Sequence, residues 1–261
     1  MHSRSRPWGE TAALGAIAVV ILFAPVLQAA GGSSSSTSAT AGSSRSAERQ
    51  AARRPYAVFV GDNYTAGTIE GGNGPAGFPS LVASKLGWDQ TVVAADGVGW
   101  AKTNQNQGPF GQLITEAISV RPDILVVFGS RNDTDPAAAG KLAASNLLRV
   151  RKMLPKVTLI VVAPPWVGDQ PSPTVIADRS AVKAAAVAAR AQLYVDPISD
   201  GWFAGQYAKL IGSDGVNPTD AGHQRMAQLL EQDIRRAGLQ AGVGRSVALR
   251  ASAGAAGRPT T

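Results

Sequence analysis

Two side chains near the end of the sequence have the residue types and the spacing of a catalytic acid–base pair. Asp220 and His223 lie three residues apart, just where a run of apolar residues at helical spacing begins. At the start of a helix, side chains with this spacing project from one face. A carboxylate beside an imidazole fixes its tautomer and stabilises the imidazolium, which suits a general base. An ordinary surface histidine at a helix start is the alternative interpretation.

Three further segments place glycine and polar residues directly after short apolar runs. They are Gly61-Asp62-Asn63-Tyr64, Asp96-Gly97-Val98 and Ser130-Arg131-Asn132-Asp133. Such residues are common in any loop, so Gly97 also suits a tight turn and Asn132 also suits a turn or a helix cap. If the apolar runs are parallel strands, their carboxyl ends meet at one edge of the sheet. We therefore expect these loops to converge with Asp220 and His223 in one crevice.

The elements that must position these residues alternate regularly along the chain. The apolar runs that predict buried parallel strands are 56–60, 91–95, 124–128, 159–163 and 193–195. Apolar residues at helical spacing predict helices at 78–86, 111–120, 137–154, 175–190 and 219–237. This alternation predicts a doubly wound α/β domain of about five parallel strands with right-handed crossovers.

Taken in order, the four polar segments resemble the sequence blocks of the SGNH hydrolase superfamily, also called GDSL-type esterases or lipases. The resemblance covers residues 55–238 and implies a three-layer α/β/α, flavodoxin-like SGNH hydrolase fold and a serine ester hydrolase. It implies that Gly97 and Asn132 help to form an oxyanion hole. It also implies that Asp220 and His223 complete a catalytic triad whose first member is the serine of the first block.

Two positions depart from that pattern. Asn63 stands where the family has its nucleophilic serine, and Ser130 stands where the third block normally has a glycine. The amide of Asn63 is a poor nucleophile because its nitrogen lone pair is delocalised. Losing the nucleophile of a triad costs on the order of 10⁶ in turnover in subtilisin. Tyr64 and Thr65 are not convincing replacements, because the family pattern has them beside a serine.

Three hypotheses follow from Asn63. In the first, the protein is a pseudo-enzyme that binds an acylated envelope carbohydrate or a lipid ester with slow or absent turnover. In the second, the Asp220–His223 pair activates water directly in an altered ester hydrolase. In the third, Asn63 replaces the serine of an active parent protein. A purely structural envelope protein is a weaker alternative, because it would not require Asp220 and His223 at that spacing.

The composition narrows the partners and cofactors. The net charge of +7 belongs to the two tails, because residues 55–238 carry sixteen basic and sixteen acidic side chains. No basic face for nucleic acid is therefore expected. The chain has no cysteine, and His223 is the only histidine after His2, so no metal site is expected. No glycine-rich phosphate loop follows the first predicted strand, so no nucleotide cofactor is expected either.

Both ends of the chain predict segments outside the folded domain. Residues 1–32 combine Arg4 and Arg6 with a long uncharged apolar run, which is typical of a signal peptide or an N-terminal membrane anchor. Residues 33–54 read as a disordered Ser/Gly-rich linker, and residues 239–261 as a disordered tail. We therefore expect an exported protein, either secreted or associated with the membrane through residues 1–32. Trp100, Trp166 and Trp202 are expected either to line a ligand cleft or to pack in the core.

Overall fold

The predicted parallel sheet is confirmed by the computed structural model, which describes residues 53–168, 170–205 and 207–241. The strands are β1 (Tyr56–Gly61), β2 (Asp89–Ala94), β3 (Ile124–Phe128), β4 (Thr158–Val162) and β5 (Leu193–Val195). They pair in the order β2-β1-β3-β4-β5, and every pairing is parallel. This is the flavodoxin-like order, whose topological switch point lies between β1 and β3.

Helices cover both faces of the sheet. Within the described ranges they are α1 (Asn63–Ala66), α2 (Phe78–Leu86), α3 (Phe110–Ser119), α4 (Pro136–Met153), α5 (Pro173–Ala188), α6 (Tyr207–Leu210) and α7 (Asp220–Arg236). A 3₁₀ turn spans Gly74–Ala76. None of the helices described is long and apolar enough to cross a membrane.

Alternating strand residues divide the core into two layers. On β1, Val58 and Val60 pack on one face of the sheet with apolar residues of α3, α4 and α5. Ala57 and Phe59 point to the other face and pack with α2 and α7. The expected three-layer α/β/α arrangement follows from this alternation, because the central strands β1, β3 and β4 are buried on both sides.

β2 begins two residues before its predicted start. Asp89 and Gln90 pair with Tyr56 and Ala57 of β1, although neither is apolar. β2 is the edge strand of the sheet and most of its residues are exposed or only partly buried. The apolar signal that marks a buried strand is therefore absent from its first residues.

Residues 1–52 and 242–261 lie outside the described residues. The predicted segment 1–32, nearly all of the predicted linker and most of the predicted tail therefore stay predictions. At the start of the described chain, the Arg53 guanidinium forms an ion pair of 2.7 Å with the Asp123 carboxylate. Near its end, the indole N–H of Trp88 donates to the carbonyl of Gln240 over 2.6 Å.

Candidate active site

The first polar loop places Asn63 at the switch point of the sheet. Asp62 follows β1 directly and caps α1, because its Oδ1 accepts the backbone N–H of Tyr64 over 3.0 Å. Asn63 is the first residue of α1, and only 8% of its surface is exposed. Its Nδ2 donates to Oδ1 of Asn217, in the loop before α7. The position of the expected nucleophile is thus occupied by an amide that is bound to a second amide.

The loop that holds Asn217 is organised by Asp214. One oxygen of the Asp214 carboxylate accepts the backbone N–H groups of Val216 and Asn217, each over 2.8 Å, and the other accepts Nδ2 of Asn217 over 2.6 Å. Desolvation acts to raise the pKa of Asp214, but these hydrogen bonds outweigh it and hold the pKa below its ordinary value. The Asp214 carboxylate therefore fixes the orientation of the amide that Asn63 contacts.

Asn132 lies across the switch point from Asn63, after β3. Its Nδ2 donates to the carbonyl of Val98 over 2.9 Å and to Oδ2 of Asp62 over 3.2 Å. Both donors of the expected oxyanion-hole amide are therefore engaged by the protein itself. Asp62 is fully buried, and burial raises its pKa to about 7 despite hydrogen bonds that favour the ionised form. Asn132 and Asp62 together join the loops after β1, β2 and β3.

Gly97 and Ser130 shape the same junction. Gly97 has a φ of +69°, and a β-carbon there would meet no atom within 4 Å, so conformation rather than crowding requires a glycine. Ser130 is fully buried and uses its side chain, because its Oγ donates to the Val98 carbonyl over 3.0 Å and accepts the N–H of Asn132 over 2.9 Å. The residue that departs from the family glycine thus ties two loops together.

Asp133 fixes the loop after β2, a role that sequence reasoning missed. Its buried carboxylate accepts the backbone N–H groups of Trp100, Ala101 and Lys102 over 2.8, 2.8 and 2.9 Å. An aspartate that follows a strand in this way is also typical of a turn or a helix cap, so the sequence alone does not indicate this role. The observed contacts make Asp133 the anchor between the second and third polar loops.

Asp220 and His223 begin α7 as the sequence predicted, but their side chains have different partners. Thr219 caps the helix by accepting the N–H of Gly222 over 3.2 Å. The Asp220 carboxylate is bound by the N–H of Gly72 over 2.8 Å. His223 is 1% exposed, and its Nδ1 accepts the N–H of Phe78 over 3.3 Å. No hydrogen bond joins Asp220 to His223, or His223 to Asn63, in the described part of the chain.

A glycine-rich segment, which we call the strap (residues 68–77), lies over His223. Gly72 has a φ of +77°, and a β-carbon on it would lie 2.0 Å from Nε2 of His223. The strap is held at its tip, because the Glu70 carboxylate accepts the N–H and the hydroxyl of Ser213 over 2.9 and 2.8 Å. This segment was missed by sequence reasoning, although its four glycines, at 71, 72, 74 and 77, are a signal that backbone approaches closely here.

These contacts fix the state of His223. Since Nδ1 accepts a hydrogen bond, the neutral ring carries its proton on Nε2, the nitrogen that faces Gly72. Burial lowers the pKa of His223 to about 4, although the negative charge of Asp220 acts to raise it. The ring also stacks on Phe78, with 6.2 Å between centroids and 12° between planes. As placed, this imidazole is a buried neutral group.

We therefore expect His223 to stay neutral across the physiological pH range. A ring carbon resonance of His223, identified by its loss in His223→Asn, should show no titration between pH 5.5 and 8. The native pKa lies below the ordinary 6.5, so the stability this group contributes is complete above pH 6.5 and is lost as pH falls towards 4. Asp62 and Asp178, with pKa raised to about 7, act in the opposite direction, which is why one resonance rather than global stability is measured. A midpoint at or above 6.5 would contradict the burial of this ring.

The three tryptophans separate into two groups. Trp100 and Trp202 are buried in the core, one in each layer. Trp166, after β4, is partly exposed, and the ζ carbon of Arg131 lies 4.7 Å from the centroid of one of its rings.

Within the described residues, no three acidic or imidazole side chains lie together as metal ligands. The catalytic and oxyanion roles of the predicted residues stay predictions, and the structure shows which contacts each one makes.

The sequence of this chain matches a family of known proteins. Residues 59–225 match the model of the GDSL-like Lipase/Acylhydrolase family. GDSL lipase Rv0518 of Mycobacterium tuberculosis is 36% identical over 184 residues, which cover 66% of this chain and 78% of that protein.

Solved structures show a similar fold at low identity. The lipase/acylhydrolase from Enterococcus faecalis is 16% identical with a TM-score of 0.56, covering 70% of this chain and 95% of its own. A family two carbohydrate esterase from Clostridium thermocellum, in complex with cellohexaose, is 17% identical with a TM-score of 0.56, covering 70% of this chain and 65% of its own.

Proposed function

This chain belongs to the GDSL-like lipase/acylhydrolase family, and we propose that it is an exported member that binds an acylated envelope carbohydrate or lipid ester with slow or absent turnover. The observation that carries the proposal is the side chain at position 63. Family chemistry needs a hydroxyl there, and Asn63 instead presents an amide that donates to Asn217.

The surroundings of His223 support low turnover independently of position 63. A general base needs a free lone pair directed at the proton it removes. On His223 the Nδ1 lone pair accepts the N–H of Phe78, and Gly72 lies against Nε2. Asp220, which would orient the ring in a working triad, binds the strap instead. For this pair to activate water, His223 would have to give up the hydrogen bond from Phe78, and Asp220 would have to give up the one from Gly72. The structure therefore does not favour the altered hydrolase.

The class of ligand and the location are supported by different observations. The Clostridium thermocellum relative by fold is a carbohydrate esterase with a bound oligosaccharide, and the Mycobacterium tuberculosis relative is a lipase by name. The activities in those names motivate an acylated sugar or a lipid ester as the ligand here. Export is proposed from the pattern of residues 1–32 alone.

The test compares binding with turnover in the full chain. Binding of an acetylated xylo-oligosaccharide is measured by calorimetry, and product release from the same compound and from 4-nitrophenyl acetate is followed in parallel. We expect binding without turnover above a slow residual rate, and this residual rate should survive His223→Ala, because oxyanion donors and binding alone give some catalysis. A fluorophosphonate probe should not label position 63.

Three results would contradict the proposal. A robust rate that disappears in His223→Ala would identify a water-activating hydrolase instead. A robust rate that survives His223→Ala would place the chemistry elsewhere in the protein. Failure of acetylated oligosaccharides and of long-chain ester micelles to bind would remove the ligand-binding role. The exposed Lys141→Gln variant on α4 serves as the substitution control throughout.

A further inference from the structure

Arg131 is a charged residue at the crevice for which the proposed function supplies no role. It follows β3 and directly precedes Asn132. Its side chain is partly buried, and none of the ion pairs within the described residues includes it. Its Nη1 is buried and has no hydrogen-bond acceptor in the described part of the chain. Among the described residues, this planar cation therefore has no carboxylate within ion-pair distance.

The Arg131 guanidinium lies against Trp166, and its charge acts on the Tyr64 phenol and the Asp214 carboxylate. The guanidinium lies over the face of Trp166, after the adjacent strand β4. Burial raises the pKa of the Tyr64 phenol, and the nearby positive charge of Arg131 opposes that rise. The same charge contributes to the low pKa of Asp214, the residue that orients Asn217. Arg131 therefore lies against the residue that follows β4, and near enough to Tyr64, the neighbour of Asn63, and to Asp214 for its charge to act on both.

The geometry and charge of Arg131 and Trp166 favour a carboxylate as the bound group. A guanidinium presents paired N–H donors in a fork that matches the two oxygens of a carboxylate. The face of Trp166 shields one side of the guanidinium from water, which strengthens charge-assisted hydrogen bonds on the remaining edge. Asp214, the nearby exposed carboxylate, is engaged by its own loop and forms no ion pair with Arg131.

We propose that Arg131 and Trp166 form a subsite that binds a carboxylate carried by the ligand. The inference depends on the proposed function in one respect, namely that the ligand occupies the crevice beside Asn63. Two kinds of ligand carry such a carboxylate: a free acyl chain and an acidic sugar. Arg131 is then the residue that distinguishes acidic from neutral ligands.

The experiment compares matched probes on the full chain. Hexanoate is paired with hexanamide, and glucuronate with glucose, so each pair differs chiefly in charge. Affinities are measured by NMR titration, with the Nε–H resonance of Arg131 as the local signal. We expect at least one carboxylate to bind about 10- to 100-fold more tightly than its neutral partner, the range for hydrogen bonds to a charged group. That carboxylate should also shift the Nε–H resonance.

Variants then locate the effect. Arg131→Gln should remove the preference for the carboxylate, and Arg131→Lys should keep part of it, because the charge remains while the fork is lost. Lys141→Gln should behave as the unsubstituted chain. The comparison of matched probes needs no variant, so it stands even if Arg131→Gln does not fold.

The outcomes separate this inference from the proposed function. A preference for hexanoate identifies the acyl source, and a preference for glucuronate identifies the sugar. Equal affinity for charged and neutral probes, no binding of either carboxylate, or equal binding of inorganic phosphate would overturn the subsite. If an acetylated oligosaccharide still bound in the crevice, the proposed function would survive that result.

Discussion

The Asn63→Ser variant is expected to hydrolyse 4-nitrophenyl acetate at least about 10³-fold faster than the unsubstituted chain, towards a limit of about 10⁶ set by the cost of losing a triad nucleophile in subtilisin. The substitution places a hydroxyl at the first position of α1, next to the polar loops that converge at the switch point. A serine lacks the amide group that donates to Asn217 in the unsubstituted chain, so its hydroxyl can form a hydrogen bond with a different group. Initial rates from the purified variant, followed by release of nitrophenolate, provide the measurement.

The expected gain is below the full limit because His223 has to change partners. For Nε2 to accept a proton, the ring must carry its own proton on Nδ1, which now accepts the N–H of Phe78. Asp220 would also have to lose its hydrogen bond from the Gly72 N–H and accept one from the imidazole instead. The free energy of this rearrangement is subtracted from the gain in rate, so the measured increase reports how far the site is from a working triad.

Two controls decide whether the gain comes from the hydroxyl. Asn63→Ala changes the size of the side chain without adding a nucleophile, and it should stay at the rate of the unsubstituted chain. The double variant Asn63→Ser with His223→Ala should lose the gain, while labelling by a fluorophosphonate should be strong only when both Ser and His are present. An inactive Asn63→Ser variant that folds normally would show that the contacts of His223, rather than residue 63, prevent turnover.

The fold was predictable because its central strands are buried on both faces. β3 and β4 are continuous apolar runs, and the sequence placed them within one residue of their observed bounds. β2 was the exception, since an edge strand that faces solvent carries no such signal in Asp89 and Gln90. The three-layer architecture followed from the alternation of elements, because few topologies accommodate five parallel strands joined by helices.

The site was predictable as a set of loops but not as a set of contacts. Parallel strands bring their carboxyl ends together, so the convergence of Asn63 and Asn132 at the switch point follows from topology. Which partner each side chain takes depends on packing between distant segments. Gly72 and Asp220 are 148 residues apart, and Asn63 and Asn217 are 154 residues apart. No local pattern shows that a glycine of the strap, rather than His223, would bind the Asp220 carboxylate.

Asp133 carries the largest expected effect on stability. Its carboxylate accepts three backbone N–H groups of the loop that follows β2, and it is 3% exposed. In Asp133→Ala these donors lose their acceptor, and a buried unsatisfied group costs about 1–3 kcal/mol. We expect the free energy of unfolding to fall by about 3 kcal/mol or more, because three donors, one of them fully buried, lose a charged acceptor together. Urea unfolding followed by tryptophan fluorescence measures the change.

Asp135 supplies a matched control within the same loop. It also binds two backbone N–H groups through one carboxylate oxygen, as the cap of α4, but it is exposed. Asp135→Ala removes the same charge and a comparable number of hydrogen bonds, yet water can replace them, so it should cost only about 1 kcal/mol. Asp133→Asn keeps the shape and one acceptor oxygen, and we expect an intermediate loss. Equal losses in Asp133→Ala and Asp135→Ala would mean that charge, rather than the buried acceptor, holds the second polar loop against the third. A larger loss at Asp133 would identify its buried carboxylate as the anchor between the second and third polar loops.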